Sequence, residues 1–116
     1  MSADSLSMTD TRHGEICILS LSGRIDSSNS GAFMERLRGL VASGVQAILV
    51  DLASVAYLTS AAFRALLVAN RDIGAKNGRL ALCGVTGQVR DLFEMGGLLD
   101  VFTIYPSREE ALSKLG

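Results

Sequence analysis

The chain has 116 residues, a typical length for one globular domain, and its 11 basic and 12 acidic residues give a formal net charge of −1. It contains no run of Lys or Arg that could displace counterions from nucleic-acid phosphates, and no apolar stretch approaching the roughly 18 residues of a membrane-spanning helix. From these two absences we expect no nucleic-acid partner and no membrane insertion. The first ten residues are polar and lack the apolar part of a secretory signal. We therefore expect one cytoplasmic domain over residues 1–116, with a loose start at residues 1–5.

The first part of the chain predicts two strands joined by a turn. Residues 6–12 form a short edge strand, His13 and Gly14 form the turn, and residues 15–22 form a strand that is apolar on both faces. A strand of that kind is covered on both faces of its sheet. Residues 23–28 follow as a loop rich in helix-capping side chains.

Two helices and a buried strand are predicted next. Four apolar residues at helical spacing mark the inward face of the first helix: Phe33, Leu37, Leu40 and Val41. Gly44 ends this helix, residues 47–52 form a buried strand parallel to the previous one, and residues 53–58 form a loop. Thr59 or Ser60 caps the second helix. The predicted inward residues of the second helix are Phe63, Leu66, Leu67, Asn70 and Ile73.

The rest of the chain continues the alternation of strand and helix. Residues 79–84 form a strand, Thr86 caps a short helix, residues 102–105 form a last strand, and Ser107 with Glu110 forms a capping box for a final helix. The inward residues of these two helices are Val89, Leu92, Phe93, Leu112 and Leu115. This order predicts an α/β fold with a central mixed, mostly parallel sheet of four to five strands and about four helices.

The sequence offers little for catalysis. His13, the one histidine, falls in a predicted turn, and neither a phosphate-binding GxxxxGK[ST] loop nor GxGxxG after a strand is present. Cys17 and Cys83 lie in apolar runs without CxxC spacing, and we interpret them as reduced, buried thiols. Asp51 is similar to the phosphoacceptor of a receiver domain, but the further carboxylates that hold Mg²⁺ are missing, so we interpret it as a strand-end side chain that bonds loop amides. We expect no enzyme, no catalytic residue, no cofactor and no metal.

The start of the second helix is the most informative segment. Its small hydroxyl and alanine residues let a partner's backbone approach closely, and the positive end of the helix dipole favours an added phosphate. Arg64 lies one turn after Ser60 on the same helix face, where it could reach a phosphate on that serine. The alternative interpretation is that Thr59 and Ser60 only cap the helix.

This segment resembles the signature of the STAS domain family, which is shared by bacterial anti-sigma factor antagonists. In that family a strand ends in Asp-Leu-Ser or similar, a loop follows, and Asp-Ser-Ser/Thr-Gly-Leu or Ser-Ser-Ala-Gly-Leu-Arg opens the second helix. The matching segment here is residues 59–64, with the sequence TSAAFR. Thr59 stands in place of the first signature residue and Ala62 in place of the usual Gly.

The resemblance covers nearly the whole chain. Residues 21–26 are similar to the family's Leu-x-Gly-x-Leu/Ile-Asp loop, and residues 78–84 to its Gly-Gly-x-Leu-x-Leu-Cys-Gly strand. Residues 89–98 and 108–112 are similar to its third and last helices. The resemblance implies a small STAS-type α/β domain that binds an anti-sigma factor, often a serine protein kinase, and thereby frees a sigma factor for transcription.

The resemblance also implies a switch. In the family, the kinase phosphorylates the serine after the first signature position, which breaks the complex, and a serine phosphatase restores it. Carried over to this chain, the phosphoacceptor is Ser60. The implied partner-binding residues are Asp26, Ser27, Thr59, Ser60, Ala61 and Arg64.

Two alternatives remain open at this point. The chain could be a constitutive STAS subunit of another assembly, such as a lipid-transport ABC system or a stress-signalling scaffold, with no phospho-switch. It could also be a small-molecule binder or enzyme on a flavodoxin-like fold, against which the missing phosphate loop and catalytic groups count. A captured serine kinase of the histidine-kinase ATPase type favours the switch, whereas a captured ABC-type ATPase favours the constitutive subunit.

Overall fold

A five-stranded sheet lies at the centre of the fold. The computed structural model describes residues 6–115. The expectation for residues 1–5 lies outside them. The strands are β1 (Ser7–His13), β2 (Ile16–Ile25), β3 (Ala47–Leu58), β4 (Arg79–Cys83) and β5 (Thr103–Tyr105). Their spatial order is also β1-β2-β3-β4-β5, with β1 antiparallel to β2 and all other neighbours parallel. The predicted mixed, mostly parallel sheet is confirmed.

Four helices in the described residues cover the two faces of this sheet. They are α1 (Ser30–Ala42), α2 (Ser60–Gly74), α3 (Gly87–Met95) and α4 (Arg108–Leu115). The buried residues of α1, α2 and α3 belong to the larger apolar cluster, and those of α4 belong to a second cluster on the other face. Across residues 6–115, no helix combines the length and the apolar character needed to cross a membrane.

The first half of β2 is apolar and buried at every position, from residue 16 to residue 19. Side chains alternate between the two faces of a strand, so Leu19 joins the cluster under α1–α3 while Ile18 joins the cluster under α4. Cys17 and Cys83 are free and buried, as interpreted from the sequence. Burial is the main cause that raises the pKa of both thiols, that of Cys83 to about 12, so both stay protonated at neutral pH.

β3 is longer than predicted, because residues 53–58 continue the strand and do not form a loop. β4 accompanies β3 only as far as Asp51, whereas β2 continues alongside until Ile25 lies opposite Leu58. The predicted loop over residues 23–28 is also shorter, because residues 23–25 belong to β2 and pair with β3. This pairing joins segments that are distant in sequence, so no local pattern reports it.

α2 presents a different face to the core than predicted. Its buried residues are Ala62, Ala65, Leu66, Ala69 and Ile73. Leu67 was predicted to point inward but is 37% exposed. Phe63 and Asn70 of α2 are only half-buried, and so is Leu92 in α3. The prediction for Leu67 is wrong because it assumed that large apolar residues occupy the inward positions, whereas alanines there let α2 pack closely.

The predicted helix ends agree with the structure except at one cap. Thr59 Oγ1 accepts a backbone N–H of α2 at 3.4 Å, and Ser107 Oγ accepts the N–H of Glu110 at 3.1 Å. Gly44, just beyond α1, has a φ of 88°, which glycine adopts without strain. Thr86 is the N-cap residue of α3, but its side chain makes no capping hydrogen bond.

The assignment of the α2 faces can be tested with two neighbouring leucines. Leu66 is fully buried, so Leu66→Ala should lower the free energy of unfolding by about 2–5 kcal/mol through lost transfer energy and a cavity. Leu67→Ala removes the same atoms from an exposed position and should change it by no more than about 0.5 kcal/mol. Urea unfolding followed by circular dichroism measures both. Equal losses would show that the helix is rotated relative to this description.

Candidate functional site

The ends of β2 and β3 bring together two segments that the sequence analysis singled out. The backbone N–H of Thr59 donates to the carbonyl oxygen of Ile25 at 3.0 Å. α2 therefore begins beside the turn that starts at Asp26. The structure places residues 26–27 and residues 59–64 at the same end of the sheet, where β2 and β3 finish.

The turn after β2 is held by reciprocal hydrogen bonds between Asp26 and Asn29. The N–H of Asp26 donates to Asn29 Oδ1 at 2.9 Å, and the carbonyl oxygen of Asp26 accepts from the N–H groups of Asn29 at 3.2 Å and Ser30 at 2.9 Å. Asn29 Nδ2 also donates to the carbonyl oxygen of Arg24 at 2.9 Å. Sequence reasoning missed Asn29, although an Asp and an Asn flanking two serines are typical of a side-chain-stabilised turn.

The carboxylate of Asp26 is fixed within this turn. Its Oδ1 accepts from the hydroxyl of Ser28 at 2.6 Å and from the N–H of Ser28 at 2.9 Å. These bonds, the hydroxyl first, hold the pKa of Asp26 below its ordinary value, and the nearby Arg24 adds to the effect. The carboxylate is therefore ionised at neutral pH. Ser27 lies exposed in the same turn.

The two hydroxyls at the start of α2 have different environments. Thr59 is half-buried, and its Oγ1 caps the helix by accepting the N–H of Ala62 at 3.4 Å. Ser60 is the first helical residue and is exposed. None of the hydrogen bonds found within residues 6–115 involves its hydroxyl. Of the two, the Ser60 hydroxyl is therefore the accessible one.

The next residues of α2 divide between the surface and the core. Ala61 and Arg64 are exposed, whereas Ala62 is completely buried. The methyl group that stands where the resemblance expects Gly therefore points into the core and takes no space on the exposed surface. Arg64 lies one helical turn after Ser60 and takes part in none of the salt bridges within the described residues.

A cation–π pair joins the two strands next to this surface. The guanidinium carbon of Arg24 lies 4.8 Å from the centroid of the Tyr57 ring, and the two residues are paired across β2 and β3. Such a contact stabilises an exposed site by about 0.5–1 kcal/mol. It holds the strand ends together two residues before Asp26 and two residues before Thr59. No local sequence pattern predicts this contact, because Arg24 and Tyr57 lie on different strands.

Asp51 lies in the sheet on the α4 side and anchors that helix. Its Oδ1 accepts the N–H of Ala53 at 3.0 Å, which is an amide of β3 and not of the predicted loop, and its Oδ2 pairs with Arg108 at 2.8 Å. Arg108 also donates to the hydroxyl of Ser20 at 2.6 Å. Asp51 is nonetheless not a strand-end residue, because β3 continues beyond it. Residues 6–115 contain no cluster of three His, Cys, Asp or Glu side chains that could hold a metal ion.

A cavity of about 440 Å³ lies at the opposite end of the sheet. Its lining includes His13, Glu15 and Arg79, over apolar side chains from the starts of β2 and β3 and from α4. Because it lies where β2, β3 and β4 begin, it is separated from Ser60 by the length of β3. His13 therefore belongs to a different region from the candidate site.

Comparison with known sequences places this chain in a family. Residues 7–111 match the model of the STAS domain. BtrV of Bordetella bronchiseptica, assigned as an anti-sigma factor antagonist, is 32% identical over 94 residues, which are 81% of this chain and 81% of that protein. The anti-sigma-F factor antagonist RsfB of Mycobacterium tuberculosis is 31% identical over 112 residues, which are 95% of this chain and 89% of that protein. The chain belongs to the STAS domain family.

Solved structures agree on the fold. An anti-sigma factor antagonist from Mycobacterium paratuberculosis superposes with a TM-score of 0.90 at 24% identity, covering 98% of this chain and 97% of that one. The Bacillus cell fate determinant SpoIIAA in its phosphorylated form superposes with a TM-score of 0.74 at 18% identity, covering 95% of this chain and 100% of that one. At these identities the likeness establishes the STAS fold.

The hydrogen bonds of the Asp26 turn lead to a pH prediction. Because the pKa of Asp26 is lowered on folding, its contribution to stability is present above the unfolded pKa of about 3.9 and is lost as the pH falls through the folded pKa. Carbon-13 NMR of the Asp26 carboxyl should give a midpoint below that ordinary value. Ser28→Ala removes the hydroxyl donor and should raise the midpoint. A wild-type midpoint at the ordinary value would contradict the geometry of this turn.

Proposed function

We propose that this protein is an anti-sigma factor antagonist that regulates transcription by partner switching. It binds an anti-sigma factor, which is also its serine protein kinase, while Ser60 is free, and it is released when Ser60 is phosphorylated. A serine phosphatase restores the free form. The observation that carries the proposal is the exposed Ser60 hydroxyl at the start of α2, held beside the rigid Asp26 turn.

The assignments of relatives support the same role. BtrV and RsfB are anti-sigma factor antagonists by name, and the related fold of SpoIIAA has been solved in a phosphorylated form. The proposed binding surface consists of Asp26, Ser27, Thr59, Ser60, Ala61 and Arg64. The Asp26 carboxylate, held by Ser28, would give this surface a fixed negative charge.

A phosphate on Ser60 should leave the fold intact. The residue is exposed at the first position of α2, so the added group extends into solvent. A phosphate carries a charge of about −1.5 to −2 at neutral pH, and the N-terminus of a helix is the favourable end of its dipole. Arg64, one turn further along, adds a cation on the same side.

The same phosphate should disrupt the interface. A partner surface that fits a serine hydroxyl and the methyl group of Ala61 would have to accept a dianion and strip its water, which is costly without a waiting cation. The ionised carboxylate of Asp26 lies beside the start of α2 and adds like-charge repulsion. The charge change therefore acts on binding and not on folding.

One alternative keeps the surface but not the switch. A constitutive STAS subunit, for example of a lipid-transport ABC system or a stress-signalling scaffold, would bind through the same residues regardless of the charge at Ser60. Capture of an ABC-type ATPase, in place of a serine kinase of the histidine-kinase ATPase type, would favour this alternative.

Charge substitution at Ser60 tests the switch. The anti-sigma factor is captured from native lysate with the wild-type chain, identified by mass spectrometry and titrated calorimetrically. Ser60→Asp should weaken its binding at least about tenfold, or 1.4 kcal/mol, while the melting temperature stays within a few degrees because surface changes are small. Ser60→Ala should bind like the wild type and take no phosphate from the kinase.

Two further variants make the result specific. His13→Ala, at the opposite end of the sheet, should bind like the wild type. Thr59→Ala should lower stability by about 1 kcal/mol through loss of the cap but still accept phosphate at Ser60. Equal affinity of the wild type and Ser60→Asp for the captured partner would remove the switch and leave the constitutive subunit.

A further inference from the structure

The exposed side of α2 carries a continuous row of residues that begins at Ser60. At about 100° per residue, Ser60, Arg64, Leu67 and Arg71 fall within a sector about 60° wide and span about 16 Å along the helix. All four are exposed. The buried residues of α2 lie on the opposite side of the helix. These four residues are called the α2 stripe below.

The α2 stripe is positively charged on a protein whose net charge is −1. Arg64 takes part in none of the salt bridges within the described residues. The side chain of Arg71 is 76% exposed and reaches only its neighbour Asp72, through Nε at 3.3 Å. No carboxylate belongs to the stripe. A local excess of cations of this kind attracts an acidic surface.

Leu67 lies between the two arginines. A single exposed leucine is ordinary on a protein surface, but this one is 37% exposed on the side of α2 opposite its buried residues. An apolar side chain flanked by charges is the usual arrangement of an interface, with a dry centre and a polar rim. The stripe is also continuous with Ser60, so one partner can contact both.

We infer that the anti-sigma factor proposed above binds along the α2 stripe, with an apolar depression that receives Leu67 and carboxylates that pair with Arg64 and Arg71. The inference rests on the proposed function and adds the chemistry of the partner's surface. Continuity with Ser60 selects this occupant, and the exposed Arg64 and Arg71 call for an acidic surface on it. A second copy of this chain is disfavoured, because two copies of the stripe would bring like charges together.

Arg64 connects the stripe to the switch. While Ser60 is free, the guanidinium of Arg64 is available to a carboxylate of the partner. A phosphate on Ser60, one turn away, attracts this guanidinium within the same helix and repels the carboxylate that it had paired. The partner's carboxylate thus loses the guanidinium of Arg64 and faces the phosphate on Ser60. Phosphorylation should therefore weaken binding more than the loss of the Arg64 contact alone.

Two matched pairs of variants test the α2 stripe, using the anti-sigma factor captured by the wild-type chain. Leu67→Gln is compared with Met95→Gln, because Met95 is an apolar residue of α3 that is 82% exposed. Arg71→Gln is compared with Arg38→Gln, since Arg38 is an exposed arginine of α1. Each stripe variant should bind about tenfold more weakly by calorimetry, and each control should stay within about twofold of the wild type. Matching melting temperatures within each pair show that binding, and not folding, has changed.

Salt dependence tests the charge of the partner's surface. Raising sodium chloride from about 50 mM to about 300 mM should weaken wild-type binding, because it screens attraction between exposed charges. Arg71→Gln should reduce this dependence. Binding that strengthens with salt, or with Arg71→Gln, would indicate a basic partner surface and overturn the inference.

The failure of this inference is distinguishable from that of the proposed function. If both stripe variants bind like the wild type while Ser60→Asp still weakens binding, the α2 stripe is not a contact surface and the switch stands. If the wild-type chain captures no anti-sigma factor, the proposed function fails and the inference fails with it.

Discussion

The candidate site depends on the pairing of the ends of β2 and β3 beyond the point where β4 stops. β3 passes from Leu58 into α2 through the single residue Thr59, whose N–H donates to Ile25. With no loop between strand and helix, the start of α2 cannot move independently of the Asp26 turn. The relative position of Ser60 and Asp26 is therefore set by backbone hydrogen bonds, and side chains at the surface remain available for binding.

The hydroxyls that hold the site together and the proposed phosphoacceptor belong to different residues. Thr59 Oγ1 accepts an N–H at the start of α2, and Ser28 fixes the Asp26 carboxylate. Ser60 contributes to neither task. A phosphate on Ser60 would therefore break none of the hydrogen bonds that define the site, which is what a reversible switch requires: a large change at the surface with a small change in the free energy of folding.

The apolar contacts that stabilise the fold lie outside the proposed partner surface. Apolar clusters lie on both faces of the sheet, and Arg108 ties α4 to Asp51 and Ser20 on the side away from α2. Ser60, Ala61 and the α2 stripe belong to neither cluster, so the proposed contacts can change without disturbing the core. The same division allows an exposed leucine to persist on α2 without a role in the core.

Local sequence patterns predict the order and type of the elements, the apolar layers, the buried thiols and the place of Ser60 at a helix start. These follow from local periodicity and from capping residues, which act within a few positions of the chain. Tertiary packing makes residues 53–58 part of β3, turns Ala62 inward and leaves Leu67 outward. Each of these depends on a partner distant in sequence: β2 lies beside the end of β3, and α1 and the sheet lie against α2. The buried alanines of α2 let the helix lie close to its neighbours. No pattern within α2 alone specifies how near these neighbours will come.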